Sequence, residues 1–321
     1  MSENWLFWVL FNAFVLAMLV LDLGVFHRKS HEIRLREALA WVAVWVGLAG
    51  VFAVLLYFFG HTLSGVKTKP NSELTLEFIT GYLIEESLSV DNLFVFLLIF
   101  RYFKVPKLHQ HKVLFWGIVG ALVMRGIFIA AGVALINKFH FIIYIFGAFL
   151  IYTGYKLFRQ EEMEIHPERN PVLKVFRKYM PVTKDYEGGK FFVQRDSRWF
   201  ATPLAVVLVV VETTDVLFAA DSIPAILAIT RDPFIVYTSN VFAILGLRSL
   251  YFGLAGMMEI FHYLHYGLAV ILAFIGVKMV LSEVFKIPIG IALGVVAAVL
   301  AVSMLASVFS KKKKVETESE A

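Results

Sequence analysis

Five carboxylates stand inside stretches of this sequence that otherwise consist of apolar residues: Glu85, Asp91, Glu212, Asp215 and Asp221. An acidic side chain in the hydrocarbon core of a bilayer costs about 3 kcal/mol. Five of them in two segments therefore require a compensating role. A site for a hard divalent cation provides one, because such cations bind carboxylate oxygen.

Further oxygen donors lie beside these acids. Asn92 and Ser222 each follow an aspartate directly, and Thr213 and Thr214 separate Glu212 from Asp215. The chain has no cysteine, which excludes thiolate metal sites and disulfides. An oxygen-only donor set favours Mg²⁺, Ca²⁺ or Mn²⁺ over Zn²⁺ or Cu⁺, and leaves the choice among the first three open.

Helical spacing predicts which of these side chains face the same way. Glu212 and Asp215 are three residues apart, and Asp215 and Ser222 are seven apart, so each pair shares a helical face. Glu85 and Asn92 have the same spacing of seven. Two acids depart from this pattern in a straight helix, lying about 120° away: Asp91 and Asp221. We expect Pro224 to bend or unwind the second helix beside its outlying aspartate.

Two arginines in the predicted spans offer an alternative explanation for the acids. Arg125 and Arg248 lie within predicted spans, and either could be a permanent salt-bridge partner or an internal counter-charge of a transport site. Glu86 follows Glu85 but faces about 100° away. Its assignment to a cavity or to a structural partner stays open.

The segments that contain these residues have the composition of membrane spans. The 321 residues are 59% hydrophobic and 17% charged, below the share of about 25% typical of soluble domains. Nine segments have the roughly 20 apolar residues that a transmembrane helix needs: 5–26, 38–59, 74–100, 113–135, 141–158, 201–230, 234–257, 266–282 and 288–309. The first lacks basic residues before its apolar run, so we interpret it as a span rather than a cleaved signal peptide.

The basic residues are divided unevenly among the loops. One alternating set of loops holds 21 of the 30 Lys and Arg, and the other set holds five. Positive residues favour the cytoplasmic side, so nine spans with this bias place the N-terminus outside and the lysine-rich tail inside. The net charge of +5 thus reflects topology, and we expect the bilayer rather than nucleic acid as partner.

The chain also contains an internal repeat. Residues 144–156 align with 266–278, with tyrosine, leucine, glycine and lysine in register. Arg125 aligns with Arg248, and the Glu85-x5-Asp91-Asn92 pattern aligns with Asp215-x5-Asp221-Ser222. Each copy holds three spans, so the copies cross the membrane in opposite senses. Inverted repeats are typical of secondary transporters, whose substrates bind between the copies.

These patterns predict an all-α, polytopic bundle of about nine spans with two inverted three-helix repeats. The predicted organisation is two N-terminal helices (1–73), a first repeat (74–158), a cytoplasmic loop (159–199), a second repeat (200–285), a last span (286–310) and a charged cytoplasmic tail (311–321).

Three segments resemble the TerC family of integral membrane proteins. Within that family, the chain is most similar to the bacterial Alx members. The three segments are GYLIEESLSVDN (81–92), ETTDVLFAADSIPA (212–225) and DPFIVYTSNVFAILGLRSLYF (232–252). The resemblance covers nearly the whole chain. It implies a location in the bacterial plasma membrane, an association with tellurium resistance and manganese export, and a role for the five acids. It favours Mn²⁺ among the three cations.

The expected function is therefore a secondary transporter that exports a divalent cation, and exchange of that cation for protons is one candidate mechanism. We expect no enzymatic activity and no tightly bound cofactor. The sequence contains no nucleotide-binding motif such as a Walker A loop, which argues against a primary pump. The alternative is a membrane scaffold for tellurium or redox stress that recruits partners through the 159–199 loop. The sequence identifies no protein partner.

Overall fold

The computed structural model describes residues 5–24, 35–159, 167–195, 197–255 and 263–319. These contain ten α-helices: α1 Trp5–Gly24, α2 Leu35–Ser64, α3 Asn71–Tyr102, α4 Lys107–Lys138, α5 Ile142–Arg159, α6 Pro171–Tyr179, α7 Pro203–Leu227, α8 Pro233–Ala255, α9 Leu264–Val280 and α10 Ile289–Ser319. One antiparallel hairpin pairs β1 Phe192–Arg195 with β2 Arg198–Ala201. The all-α polytopic fold class is confirmed.

Seven of the helices are long and apolar enough to cross a membrane: α2, α4, α5, α7, α8, α9 and α10. The apolar part of α1, Trp5–Leu21, is shorter. The 32-residue α3 is long enough to cross but contains several acids. Large apolar side chains such as Leu217 and Val302 are about two-thirds exposed, at 68% and 66%. Such surfaces face lipid tails. The count of nine spans stays a prediction.

The third spans of the two predicted repeats, α5 and α9, cross at very short range. A Cβ atom at Gly154 would lie 2.7 Å from the carbonyl oxygen of Ala269 and 3.0 Å from the nitrogen of Ala273. A Cβ atom at Gly276 would lie 2.7 Å from the carbonyl oxygen of Gly147 and 2.9 Å from the nitrogen of Ile151. Only glycine allows this approach.

These two contacts are equivalent under the alignment of residues 144–156 with 266–278. Gly154 aligns with Gly276, Gly147 with Ala269, and Ile151 with Ala273. Each glycine therefore contacts the aligned counterparts of the residues that the other contacts. A twofold axis between two antiparallel helices produces this reciprocal pattern. The relation of the other four repeat helices stays a prediction.

Loops that belong to the same set contact one another. In the basic set, the Tyr186 hydroxyl donates to the carbonyl oxygen of Phe103 at 2.8 Å, and Lys112 donates to that of Gly189 at 3.3 Å. We call this the basic end. In the other set, His140 lies 3.2 Å from Glu283. We call that the opposite end. The grouping agrees with the alternation on which the predicted topology rests.

The loop between α5 and α7 is folded against the transmembrane helices. Asn170 caps α6, because its Oδ1 accepts from the backbone N–H of Val172 at 2.9 Å and of Leu173 at 3.2 Å. Leu173 is buried, at 2% exposed, whereas Val172 and Val175 on the other faces are about half exposed. The short helix thus packs its leucine against the protein, in contact with α7.

The expected break in the second acidic helix is not found. Helix α7 runs continuously from Pro203 to Leu227 with Pro224 inside it. The proline lacks the N–H that would donate to the carbonyl of Ala220, yet the helix continues for three residues beyond it, and the N–H of Ala228 bonds to the proline's carbonyl at 3.0 Å. Asp221 is therefore presented by a regular helix. The prediction that the chain unwinds beside it was wrong.

Candidate functional site

A buried arginine joins three helices at the centre of the bundle. Arg125 of α4 is 2% exposed and forms an ion pair with Glu85 of α3. Its Nη2 lies 3.3 Å from Oδ1 of Asp215 on α7. Its Nη1 donates to Oδ1 of Asn240 on α8 at 2.8 Å and lies 3.4 Å from Oγ of Ser222. We call these five residues the Arg125 cluster.

The cluster brings together acids that the alignment of the repeats places in equivalent positions. Glu85 and Asp215 begin the two matching patterns, and both contact one guanidinium. Asp215 and Ser222 both face it, as their spacing of seven predicted. Arg125 thus contacts both acids, and whether it is a permanent structural partner or an internal counter-charge stays a prediction. Asn240 forms the interhelical hydrogen bond that such a residue typically makes in a membrane.

Several polar atoms in and beside the cluster are buried without a hydrogen-bond partner. They include Oδ2 of Asp215, Nδ2 of Asn240, Nδ2 of Asn92 and Oγ of Ser89. Ser89 and Asn92 lie four and seven residues after Glu85, on the same helical face. Each unpaired buried group costs about 1–3 kcal/mol. The cluster therefore has hydrogen-bonding capacity that the protein does not fill: Oδ2 of Asp215 and Oγ of Ser89 can accept or coordinate, whereas the two amide nitrogens can only donate.

The other three predicted acids do not contact Arg125 in the described part of the chain, although Glu212 lies one turn before Asp215 on α7. The carboxylate of Glu212 occupies the space beside Gly120 of α4, where a Cβ atom would overlap both of its oxygens. Asp221 accepts a hydrogen bond from Oγ1 of Thr153 on α5 at 3.0 Å. Asp91 is partly buried on α3. Nowhere in the described ranges do three acidic or histidine side chains stand close enough to hold a metal ion.

Some of the predicted supporting residues, such as Ser222, belong to the Arg125 cluster, and others lie outside it. Thr213 and Thr214 donate their hydroxyls to backbone carbonyls one turn back in α7, at 2.8 and 2.7 Å. Thr213 Oγ1 also accepts from Nδ2 of Asn170 at 2.6 Å. Arg248 is buried in α8, at 3% exposed. The assignment of the five acids as ligands of one metal site, with the other six residues as further ligands or support, stays a prediction.

Sequence reasoning missed two of these contacts. Asn170 lies in a loop, and Thr153 lies among apolar residues of α5, so neither position gives a signal by type or spacing. Glu86 lies near the contact of α2 with α8: one oxygen is 3.9 Å from the Cβ position of Gly246, and the other is buried without a partner. Whether it lines a cavity or supports the structure stays open.

A second polar network lies at the opposite end. Glu77 is 2% exposed, forms an ion pair with Lys69 and accepts from Oγ1 of Thr230 at 2.7 Å. Asp232 caps α8 by accepting from the N–H of Phe234 at 2.9 Å. Burial raises the pKa of Asp232, and its backbone hydrogen bonds offset part of that rise. This network joins α3 to the α7–α8 connection.

Long apolar helices and a buried ionic cluster between them define an integral, multi-pass membrane protein. The model of the integral membrane protein TerC family matches residues 71–315, and the chain belongs to that family. It is 50% identical over 314 residues to an uncharacterized membrane protein of Myxococcus xanthus, covering 98% of this chain and 95% of the relative.

Two further relatives carry the provisional name membrane-bound redox modulator Alx. The one from Photorhabdus laumondii is 45% identical over 310 residues, covering 96% of each chain. The one from Escherichia coli strain K12 is 46% identical over 302 residues, covering 94% of this chain and 93% of the relative. No solved structure matches the chain.

Proposed function

We propose that this protein is a secondary transporter that exports divalent cations, Mn²⁺ foremost, rather than an enzyme. The observation that carries the proposal is the meeting of Glu85 and Asp215 in one buried cluster. In the predicted repeats they belong to the first spans of two copies that cross the membrane in opposite senses. Binding between such copies is how secondary transporters expose one site to each side in turn.

The ion pairs of Arg125 set a condition on this mechanism. Glu85 and Asp215 share one guanidinium, which compensates half of their combined negative charge, so a cation that uses both must displace it. In our proposal Arg125 is an internal counter-ion, which leaves the two carboxylates when Mn²⁺ arrives and returns when the ion departs. The net charge of the two acids and their counter-ion then changes only from −1 with Arg125 to zero with Mn²⁺, so the carboxylates are never bare at membrane depth. A guanidinium that cannot leave would exclude these two acids as ligands.

Glu212 and Asp221 are then the acids that the ion meets without displacing an arginine. Neither contacts an arginine within the part of the chain that the structure describes. Oxygen donors of this kind bind Mn²⁺, Ca²⁺ and Mg²⁺. The resemblance to the TerC family favours Mn²⁺. Carboxylates can also exchange a metal for a proton, so we propose proton-coupled export.

The proposed location is the bacterial inner membrane, with the N-terminus outside and the lysine-rich tail in the cytoplasm. The support is the excess of basic residues at the basic end. In this orientation Asn170 and the folded loop lie on the cytoplasmic side, from which an exported ion enters.

The test is Mn²⁺ accumulation in cells that express Glu212→Gln or Asp221→Asn. We expect both variants to accumulate Mn²⁺ like cells without the protein. Glu73→Gln, which neutralises a half-exposed acid at the start of α3, is the matched control and should export normally. Export by both site variants at the wild-type rate would refute the transporter. Efflux from liposomes loaded with Mn²⁺, Ca²⁺ or Mg²⁺, under a pH gradient, identifies the ion and the coupling.

A second candidate is a scaffold that recruits partners through the 159–199 loop in tellurium or redox stress. The observation that favours it is the exposed apolar surface of this loop, where Tyr179 is 78% and Trp199 is 58% exposed. The name of the Alx relatives points the same way. Thiol redox chemistry is excluded, because the sequence has no cysteine.

The two candidates make opposite predictions for a variant of that surface. Tyr179→Ser combined with Trp199→Ser leaves the acids unchanged. A transporter should keep Mn²⁺ efflux in liposomes, whereas a scaffold should lose stress protection in cells and show no efflux at all. Loss of protection with wild-type efflux would assign both roles to the protein.

A further inference from the structure

A pocket of about 470 Å³ lies at the opposite end of the molecule, apart from the five acids. Three connections form its walls: α4–α5 contributes His140, α7–α8 contributes Arg231, and the segment after α9 contributes Glu283 and Lys286. Lys278 of α9 lines it as well. The contact between His140 and Glu283, at 3.2 Å, joins two of these walls.

The charge of this pocket is positive. Arg231, Lys278 and Lys286 line it, against the single carboxylate of Glu283. That carboxylate already has a partner in His140. The ammonium of Lys278 is held in place by a hydrogen bond to the carbonyl oxygen of Ala228 at 3.0 Å. A concave surface with three cations and one engaged acid attracts an anion.

The surroundings of the pocket place it at the membrane surface. Phe285 lines it and is 63% exposed, and its neighbour Val284 is 87% exposed. Phe139 and Phe141 flank His140 and are 43% and 57% exposed. Exposed aromatic and apolar residues at helix ends are typical of the level where lipid headgroups meet acyl chains. The cations therefore lie at the depth of lipid phosphates.

We propose that this pocket binds the phosphate of an anionic phospholipid, with its acyl chains along Val284 and Phe285. Arg231 supplies a guanidinium that bonds two phosphate oxygens, and Lys278 and Lys286 add positive charge. Basic pockets between transmembrane helices bind anionic headgroups in this way. The apolar rim favours a lipid over a soluble phosphate, which carries no chains. The bound lipid would tie the α7–α8 connection to the end of α9.

The test is lipid retention by the full-length protein in nanodiscs. The wild-type protein should still hold phosphatidylglycerol after the surrounding lipid has been exchanged for detergent. It should also unfold at a higher temperature in nanodiscs that contain phosphatidylglycerol than in nanodiscs of phosphatidylcholine alone. Arg231→Gln combined with Lys286→Gln should retain on the order of tenfold less. Lys67→Gln combined with Lys138→Gln removes two cations from the same end, outside the lining, and should behave as wild type.

Equal retention by the pocket variant and the wild type would overturn the proposal. A stability gain from inorganic phosphate in phosphatidylcholine nanodiscs, equal to that from phosphatidylglycerol, would overturn the lipid as ligand and assign the pocket to a soluble oxyanion. Wild-type retention together with loss in both double variants would show attraction by charge alone, and would also overturn a specific site. None of these outcomes depends on metal transport.

Discussion

The side-chain amide of Asn170 donates to Oγ1 of Thr213 at 2.6 Å, which joins the loop to α7 one residue from Glu212. The oxygen of the same amide caps α6. One side chain therefore fixes the start of the short helix and its attachment beside a predicted metal ligand. This contact connects the two candidate functions, because a change in the loop reaches the acidic helix through it.

Breaking this attachment should release α6 without removing its cap. Thr213→Val keeps the size of the side chain but cannot accept the bond, which is worth about 1 kcal/mol. The buried Leu173 reports the release, because Leu173→Cys is the single thiol in an otherwise cysteine-free chain. We expect labelling of Leu173→Cys to quicken about fivefold when Thr213→Val is added. Thr214→Val, whose hydroxyl bonds only within α7, is the control. Equal labelling in both backgrounds would show that the contact does not hold the loop.

Arg125 should be essential for folding only while its acidic partners are charged. Arg125→Gln leaves Glu85 and Asp215 buried without a cation, and we expect a loss of about 4 kcal/mol in the free energy of unfolding. Adding Glu85→Gln and Asp215→Asn should restore most of it, since neutral amides need no counter-ion. Thermal unfolding of the purified variants measures both effects.

The rescued triple variant also tests the role of Arg125 in transport. It folds but lacks the exchangeable charges, so it should export no Mn²⁺. Normal export by this variant would show that the Arg125 cluster is structural and that the ion takes another path.

How far the sequence predicts this site depends on the range of each contact. The helical period placed Asp215 and Ser222 on one face, and both do face Arg125. That prediction needed only local geometry. The partner of Glu85 on α4 could not be assigned, because helix packing decides which of two arginines reaches it. The contact of Asn170 with Thr213 spans 43 residues and depends on how a polar loop folds back.

The fold shows the same division. Span positions follow from runs of apolar residues, so most helices begin and end within about six residues of the predicted limits, whereas α10 continues to Ser319, beyond the predicted end at residue 309. The expected unwinding at Pro224 is not found: the proline costs α7 one hydrogen bond, and the helix continues past it with Ile223 and Ile226 buried on either side. In the sequence, the only sign of the close crossing of α5 and α9 is the alignment of Gly154 with Gly276. The reciprocal contacts of this crossing depend on backbone approach, which residue types alone do not specify.

Gly120 should be as important for export as the acid that it accommodates. A methyl group at this position overlaps both oxygens of Glu212, so Gly120→Ala must displace the carboxylate. We expect Mn²⁺ accumulation to match that of Glu212→Gln. Gly126→Ala is the matched control on the same helix, since its Cβ would meet only Cε2 of Tyr237, at an ordinary 3.7 Å. Normal export with Gly120→Ala would mean that the observed position of Glu212 is not the functional one.

The crossing of α5 and α9 should respond equally to substitution on either side. Gly154→Ala and Gly276→Ala each bring a methyl group within 2.7 Å of a backbone oxygen in the facing helix. Backbone cannot rotate away as a side chain can, so each variant should lose about 2 kcal/mol of stability. The two losses should agree, because the contacts are equivalent under the alignment of the repeats.

Gly294→Ala in α10 is the control for this pair of variants. No atom lies within 4 Å of its Cβ position, so the higher helix propensity of alanine should stabilise the protein by up to about 1 kcal/mol. Thermal unfolding in one detergent compares all three variants. Losses that differ widely between Gly154→Ala and Gly276→Ala would contradict a twofold relation between the helices. A stability of Gly276→Ala equal to that of Gly294→Ala would contradict the close crossing itself.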